Sequence, residues 1–260
     1  MARTNEPGRS VSSKLLDILF SFEPDHQRFT LAELVRRTGM PYATVRRLVL
    51  ELVEAGALSR DERGRFAIGL RLWQLGTLAP RTESLRAVAQ PFTEDLYAAL
   101  RQHVQLAVLD GTEAVIIERL SAPRAPTLVG RVGGRVPLHA SAVGKILLAH
   151  GGPGLTEQIL GRKLRRYTPK TPVEADELRR ELAVCRQSGT AIVRGELTLN
   201  ADSVATRIVD GRGIVVAALS VVVRAGSVSL DAVVPSIVAS GFGISRLLGW
   251  RPGITVRDAP

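Results

Sequence analysis

The sequence predicts an α+β chain with two domains: a small N-terminal domain of helices and one hairpin, and a larger domain whose mainly antiparallel sheet is flanked by helices. The chain has 260 residues, which fits two domains of about 150 residues each. Apolar residues recur at helical spacing near the N-terminus. Farther on, short apolar runs are joined by tight turns such as Asp110-Gly111, and such hairpins pair strands antiparallel.

The N-terminal domain begins with two helices. Apolar residues repeat at helical spacing over 11–22. The segment from Thr30 to Glu33 has the composition of a capping box, in which the Thr30 hydroxyl accepts from the Glu33 amide and the Glu33 carboxylate accepts from the Thr30 amide. We expect a short helix from there to about Arg37, with Gly39 in the left-handed position that follows a helix end.

A third helix and a hairpin complete this domain. Pro41 suits the first turn of a helix, and the apolar residues that share one face of this helix are Val45, Leu48, Val49 and Leu52. Its opposite side carries Tyr42, Ala43, Thr44, Arg46 and Arg47. Residues 57–60 and 65–68 predict two short strands joined by the polar turn 61–64.

This order of elements, with a glycine turn between the second and third helices, predicts a winged helix-turn-helix. Such a domain places its recognition helix in the major groove of DNA, while arginines of the hairpin reach phosphates or the minor groove. Glu51 and Glu54 lie late in the recognition helix and repel phosphate, so we expect only its first half to enter the groove. The predicted DNA contacts are Thr30, Tyr42, Ala43, Thr44, Arg46, Arg47, Arg60, Arg63 and Arg65.

The predicted domain organisation is a DNA-binding domain at 1–69, a linker helix at 70–83 and a second domain at 84–260. Leucines recur every three residues in the linker helix, and this apolar surface needs a partner in its own subunit or in a second one. The second domain has predicted helices at 84–101, 140–149, 156–160, 174–187 and 231–248. Its predicted strands are 104–109, 114–120, 127–132, 191–193, 204–209 and 214–223.

Four segments of the sequence carry a resemblance to a known family. The run LAELVRRTGMPYATVRRLVLELVEAGALSRDERGRFAIGLRL resembles the DNA-binding domain of the IclR family of bacterial transcriptional regulators. The segments GRVGGRVPLHASAVGKILLA, YTPKTP and GRGIVVAALSVVV resemble the effector domain of that family. The resemblance implies a GAF/profilin-like sensor domain, double-stranded operator DNA as a partner, and a homodimer or homotetramer assembled through the linker helix. We expect a repressor.

The resemblance also implies an effector site. In the family, small organic effectors lie beside a helix start that here is Ala142-Val143, and beside residues that align with Val193, Ser203, Ser220 and Val222. The family often has Asp, Cys and Ser where this chain has Val193, Ser203 and Val222. Because a site with fewer polar groups favours a less polar ligand, we expect a mostly apolar or aromatic acid. Two alternatives stay open: the serines bond only to their own sheet, or effector binding has been lost.

Composition excludes several other classes of protein. The single cysteine, Cys185, excludes a disulfide framework and structural zinc, and the four histidines lack metal-ligand spacing. The N-terminus has no signal-peptide core and no run of about 18 uninterrupted apolar residues exists, so we expect a cytoplasmic protein without a membrane segment, metal or cofactor. The net charge of +10 favours a polyanionic partner.

Two other function classes are weighed against a DNA-binding regulator. A ligand-binding enzyme with an accessory winged helix would need a catalytic group. His139, Ser141 and Asp210 are one triad on paper, but the chain lacks a G-x-S-x-G nucleophile turn, so we expect no catalysis. A winged helix can also bind protein instead of DNA, and such a module would retain no specific duplex.

Overall fold

The computed structural model describes residues 10–23, 26–78, 80–121 and 131–258. The chain forms two compact units that divide between Glu83 and Ser84. The strand predicted at 127–132 falls mostly outside the described residues, and its described part, Arg131 and Val132, is not in a strand.

The N-terminal unit is a winged helix-turn-helix. Its elements are the helices α1 (Val11–Phe20), α2 (Leu31–Thr38) and α3 (Tyr42–Glu54), the strands β1 (Leu58–Arg60) and β2 (Phe66–Ile68), and the helix α4 (Leu70–Thr77). The two strands pair antiparallel as a hairpin. The capping box is formed at the start of α2, and Gly39 after its end has a φ of 66°, a left-handed conformation that glycine adopts without steric cost.

The core of the N-terminal unit lies between its first three helices and the hairpin. All four residues predicted to share the apolar face of α3 are buried. They belong to one cluster with Ile18, Phe29, Leu34, Met40, Leu58 and Phe66. This packing fixes the rotation of α3 about its own axis, so the polar side of α3 faces away from the core.

The helix predicted at 70–83 is wrong in its extent. The structure has two helices there, because α4 ends at Thr77 and α5 spans Pro80–Leu100. Proline has no N–H to donate to the preceding turn and is favoured at the first position of a helix, so Pro80 begins a new helix and does not extend α4. The second proline, Pro91, lies inside α5 without ending it.

The second unit is built on a six-stranded antiparallel sheet. Its strands are β3 (His103–Asp110), β4 (Glu113–Leu120), β5 (Arg135–Pro137), β6 (Thr190–Arg194), β7 (Ala201–Val209) and β8 (Val215–Arg224). They lie side by side in the order β5-β4-β3-β8-β7-β6. The sequence did not predict β5, an edge strand of three residues that ends in a proline, because so short a run has no clear periodicity.

Helices cover both faces of this sheet. They are the part of α5 from Ser84 onward, α6 (Ala142–Ala149), α7 (Gly152–Leu160), α8 (Ala175–Ser188) and α9 (Leu230–Leu247). Residues of α6, α7 and α8 pack with Ala107, Ala205 and Ala218 on one face. Leu106, Val204 and Leu219 directly precede or follow these alanines in the strands, so their side chains point to the other face, where they pack with residues of α5 and α9.

One helix of the described residues, α9, is long and apolar enough to cross a membrane by length and composition alone. It carries Asp231 and Arg246 near its ends. Its buried side chains, among them Val233, Ile237 and Ile244, pack against the sheet. This is the arrangement of an amphipathic helix in a core.

Candidate functional site

The outer side of α3 carries five of the residues predicted to meet DNA. Tyr42, Ala43, Arg46 and Arg47 are exposed, and Thr44 is half-buried. All five lie in the first two turns of the helix, after Pro41. The structure therefore presents an exposed tyrosine and two exposed arginines together on the side of α3 that the core does not use.

The two arginines of α3 differ in their partners. Arg47 Nη1 donates to Glu51 Oε1 at 2.6 Å, one turn farther along the helix. Arg46 has no ion-pair partner within the described residues. Both side chains of the Arg47–Glu51 pair are exposed, and exposed ion pairs contribute little to stability. Arg47 can therefore exchange Glu51 for a phosphate or a base at small cost, but Glu51 stays close to it.

Thr30 is exposed at the start of α2, and its hydroxyl already has partners. It accepts from the Glu33 amide at 3.3 Å and donates to Glu33 Oε2 at 2.9 Å. The hydrogen bonds of Thr30 hold the pKa of Glu33 below its ordinary value. The hydroxyl is thus engaged in capping the helix, and a DNA contact by Thr30 needs its remaining hydrogen-bonding capacity.

Asp61 organises the turn of the hairpin. Its Oδ1 accepts from the amides of Arg63 and Arg65 at 3.0 and 2.9 Å, and its Oδ2 accepts from Arg65 Nε at 3.1 Å and Arg28 Nη1 at 3.0 Å. The hydrogen bond from the Arg65 amide is the main cause that lowers the pKa of Asp61. Arg65 therefore has a structural partner. Sequence reasoning missed Arg28, which directly precedes Phe29, a residue whose backbone pairs with Phe66 of β2, and which ties that segment to the hairpin turn.

The other two hairpin arginines are not tied to carboxylates in the described part of the chain. Arg63 is exposed. Arg60 lies with its guanidinium carbon 5.6 Å from the centre of the Phe66 ring, a cation–π contact that orients the side chain while leaving its donors open. Arg60 and Arg63 are thus the hairpin residues best placed to give donors to a phosphate.

The second unit contains a cavity between the sheet and the start of α6. Its empty space is about 480 Å³ when the space at its mouth that is open to solvent is included. All six residues that the resemblance implied for the effector line it: Ala142, Val143, Val193, Ser203, Ser220 and Val222.

Strand register explains why distant residues meet in this cavity. Val193 of β6 lies opposite Ser203 of β7, and Ser203 lies opposite Val222 of β8. Two residues along β8, Ser220 lies opposite Gln105 of β3. Because side chains alternate between the two faces of a strand, these five side chains share the face that α6 covers.

The start of α6 offers free backbone donors to the cavity. The Ser141 hydroxyl accepts from the Gly144 amide at 3.1 Å and donates to the Pro137 carbonyl at 2.7 Å. The Lys145 amide donates to the Ser141 carbonyl. The amides of Ala142 and Val143 precede these bonds and have no acceptor within the helix. Together with the helix dipole, they favour an anion.

Apart from the Ser141 hydroxyl, the side-chain hydroxyls and the amide on the cavity wall make no hydrogen bond within the described residues. Ser220 is 1% exposed, and its Oγ has no hydrogen-bond partner. Within the described residues, the side chains of Gln105, Thr198 and Ser203 make no hydrogen bond either. The alternative that Ser203 and Ser220 bond only to their own sheet is therefore not what the structure shows.

Comparison with known proteins decides the family. The model for the C-terminal domain of bacterial transcriptional regulator IclR matches residues 79–240, and the model for the IclR helix-turn-helix domain matches residues 13–62. The chain belongs to the IclR family. It is a DNA-binding transcriptional regulator with a C-terminal effector-binding domain.

Individual relatives agree with this assignment. The chain is 30% identical to the transcriptional repressor IclR of Escherichia coli over 195 residues, 74% of this chain and 71% of the relative. It is 37% identical to the regulator KipR of Bacillus subtilis over 139 residues, 54% of each. It is also similar to the crystal structure of an IclR homolog from Microbacterium hydrocarbonoxydans complexed with 4-hydroxybenzoate, with a TM-score of 0.88, 35% identity and coverage of 92% of this chain and 99% of that one.

A buried ion cluster supports the cavity of this IclR-family regulator. Lys145 of α6 is 2% exposed, and its Nζ lies 2.8 and 2.6 Å from the two carboxylate oxygens of Glu196 and 2.7 Å from Glu181 Oε2. The Glu196 carbonyl accepts from the hydroxyls of Thr168 and Thr171. Since Leu197 and Thr198 of the cavity wall follow Glu196 directly, Lys145 links that wall to the helix that supplies the free amides.

The triad weighed from the sequence is not assembled. Ser141 donates to the Pro137 carbonyl, and His139 Nε2 lies 2.9 Å from the Arg165 carbonyl oxygen. Asp210 accepts from Arg212 and Ile214 in its own turn. Each group thus has a partner outside the triad. No group of three or more His, Cys, Asp or Glu that could hold a metal ion is found among the described residues.

Sequence reasoning missed Gln105 and Thr198 of the cavity wall. One signal could have identified Gln105, because it is a polar residue inside the apolar strand segment VQLAV. Thr198 follows no periodic pattern. Its place beside the cavity depends on the loop that leaves β6, which local sequence does not determine.

Proposed function

We propose that this protein is a repressor whose cavity binds a small carboxylic acid of mostly apolar or aromatic character. The observation that carries the proposal is the cavity itself, which combines two free helix amides with hydroxyls that have no partner in the fold. A cavity that had lost its ligand would be expected to fill with side chains or to pair its polar groups, since unpaired buried polar groups are destabilising.

The chemistry of the lining favours an aromatic acid. The helix amides are donors and suit a carboxylate, whereas Val193 and Val222 offer apolar surface to the rest of a ligand. No charged side chain of the described residues lines the cavity, so a dianionic ligand would find no counter-charge among them. The similar IclR homolog from Microbacterium hydrocarbonoxydans is complexed with 4-hydroxybenzoate, which is an acid of this kind.

The proposed DNA surface consists of the first two turns of α3 and the hairpin. Arg46 and Arg47 are the residues proposed to reach base edges or phosphates, and Arg60 and Arg63 to reach the adjacent backbone. Tyr42, Ala43, Thr44, Thr30 and Arg65 complete the proposed contact set. We further propose that the protein acts in the cytoplasm as a homodimer or homotetramer, with two recognition helices on two half-sites.

A DNA-binding experiment tests the first half of this proposal. Operator fragments are selected from genomic DNA of the source organism, and binding is measured by gel shift at several salt concentrations. Arg47→Ala is expected to weaken operator binding by about 1–3 kcal/mol and to relax specificity at one position. Equal weakening on all sequences would instead assign Arg47 to a phosphate, and retention of no duplex at low salt would refute DNA recognition.

Calorimetric titration tests the second half. The full chain is titrated with acetate, benzoate and 4-hydroxybenzoate. The control is a Val143→Trp variant titrated with the same acids, in which the larger side chain is meant to fill the cavity beside the helix start. We expect an aromatic acid to bind the natural chain and not the filled variant. If the natural chain binds none of a broad panel of carboxylates, effector binding has been lost.

A further inference from the structure

Gln105 is a polar side chain on the floor of the cavity with no structural task. It is 6% exposed, it lines the cavity, and its amide makes no hydrogen bond to any residue in the part of the chain that the structure describes. A polar side chain that faces a cavity and makes no hydrogen bond within the fold is available to bind a ligand. Gln105 lies among the apolar residues of β3 between Val104 and Val108, at a buried position where an aliphatic residue is the ordinary choice.

Ser220, the neighbour of Gln105 on β8, also has no hydrogen-bond partner for its side chain among the described residues. Gln105 lies opposite Ser220, which places their Cβ atoms about 4.5–5.5 Å apart. The Ser220 Oγ is buried and unpartnered. The floor of the cavity therefore holds a pair of adjacent polar side chains, one from β3 and one from β8, that face the same space.

The chemistry of this pair differs from that of the helix start. Backbone amides only donate, and a carboxylate only accepts, so the two match completely. The Gln105 amide has both an acceptor oxygen and donor hydrogens, and the Ser220 hydroxyl both donates and accepts. A carboxylate at this pair would leave the Gln105 oxygen unpaired, whereas a hydroxyl can donate to one member and accept from the other.

We infer that Gln105, together with Ser220, is a specificity-determining residue that selects acids carrying a hydroxyl over the same acids without one. This inference rests on the proposed function, because it assigns the carboxylate to the helix start and the hydroxyl to the Gln105–Ser220 pair. It deepens that proposal by naming the class of ligand: a hydroxy-substituted aromatic carboxylic acid.

The test compares selectivity and not affinity alone. The full chain is titrated by calorimetry with benzoate and with the 2-, 3- and 4-hydroxy isomers. We expect at least one isomer to bind the natural chain about tenfold more tightly than benzoate. In Gln105→Met, which keeps the length of the side chain without its hydrogen-bonding groups, this preference is expected to fall to near one while benzoate binding is kept.

Two controls separate this role from a structural one. The exposed Gln158 of α7 provides the matched substitution Gln158→Met, which is expected to leave the preference unchanged. The melting temperature of ligand-free Gln105→Met is expected to stay close to that of the natural chain, because the substitution removes no hydrogen bond seen in the described residues. A large fall in that temperature would assign Gln105 to the fold and overturn the inference.

The outcomes also separate the inference from the proposed function. If none of the acids binds the natural chain, both fail. If the acids bind but benzoate is equal to every isomer, or if Gln105→Met keeps the preference, the acid-binding function stands and the inference about Gln105 is overturned.

Discussion

The proposed DNA surface of the N-terminal unit and the cavity of the second unit differ in whether their polar side chains have partners in the free protein. In the N-terminal unit, Arg47 pairs with Glu51 and Arg65 with Asp61 in the free protein. In the cavity of the second unit, the buried Ser220 hydroxyl and the Gln105 amide have no hydrogen-bond partner among the described residues. The difference follows from solvent. Exposed pairs can be exchanged for DNA at small cost, whereas a buried group must be kept unpaired if a ligand is to use it.

The largest expected effect concerns the buried charge cluster of Lys145 and Glu196 beside the cavity. Lys145→Met removes the cation and leaves the Glu196 carboxylate buried without a partner, so we expect a loss of about 3–5 kcal/mol in the free energy of unfolding. Urea unfolding, followed by a signal from the second unit, measures this loss. The double variant Lys145→Met/Glu196→Leu is expected to recover most of the loss, and equal stability of the single variant and the natural chain would contradict the prediction.

The second prediction contrasts a buried with an exposed histidine. Burial lowers the pKa of His150 from 6.5 to about 4. A histidine whose pKa is lowered by folding stabilises the fold above its unfolded pKa, and this stabilisation is lost as the pH falls from about 6.5 toward 4. The loss amounts to about 3 kcal/mol at 1.36 kcal/mol per pKa unit.

Thermal melts from pH 7.5 to 4 measure this effect as the difference between the natural chain and His150→Gln. Burial also lowers the pKa of His139, which adds a dependence of the same sign to both proteins. The exposed His26 provides the control substitution His26→Gln, which should keep the full pH dependence. An unchanged pH slope in His150→Gln would refute the role of His150.

The third prediction tests the open polar groups of the cavity directly. Ser220→Ala removes a buried hydroxyl that has no partner, so the ligand-free protein is expected to gain about 1 kcal/mol of stability. The same substitution is expected to weaken binding of the acid. Opposite signs for stability and binding are the mark of a group held for a ligand, and a clear loss of stability would show that Ser220 has a structural task.

The smallest expected stability effect lies on α3. Glu51→Gln breaks the exposed pair with Arg47 and is expected to change the free energy of unfolding by less than about 0.5 kcal/mol. Operator binding is expected to tighten, because Arg47 is released and a carboxylate that repels phosphate is removed. Gel shifts at two salt concentrations measure it, with Glu54→Gln, one turn farther from the helix start, as the comparison.

The N-terminal unit was predictable because its signals are local. The Thr30–Glu33 capping box, Gly39 and the four-residue apolar face of α3 each act within a few residues, and all three are found as predicted. The misjudged helix at 70–83 fails for a local reason too, since the leucine repeat stops at Leu78 and Pro80 begins a separate helix.

The sequence by itself therefore determined most of the elements, the fold class and the polar side of the recognition helix, because capping, periodicity and turn chemistry depend on residues close along the chain. Only the tertiary structure decided that β3 lies beside β8, which brings Gln105 to Ser220 across more than a hundred residues of chain. Strand order depends on how the helices cover both faces of the sheet. No local pattern encodes which two polar residues then share one buried surface.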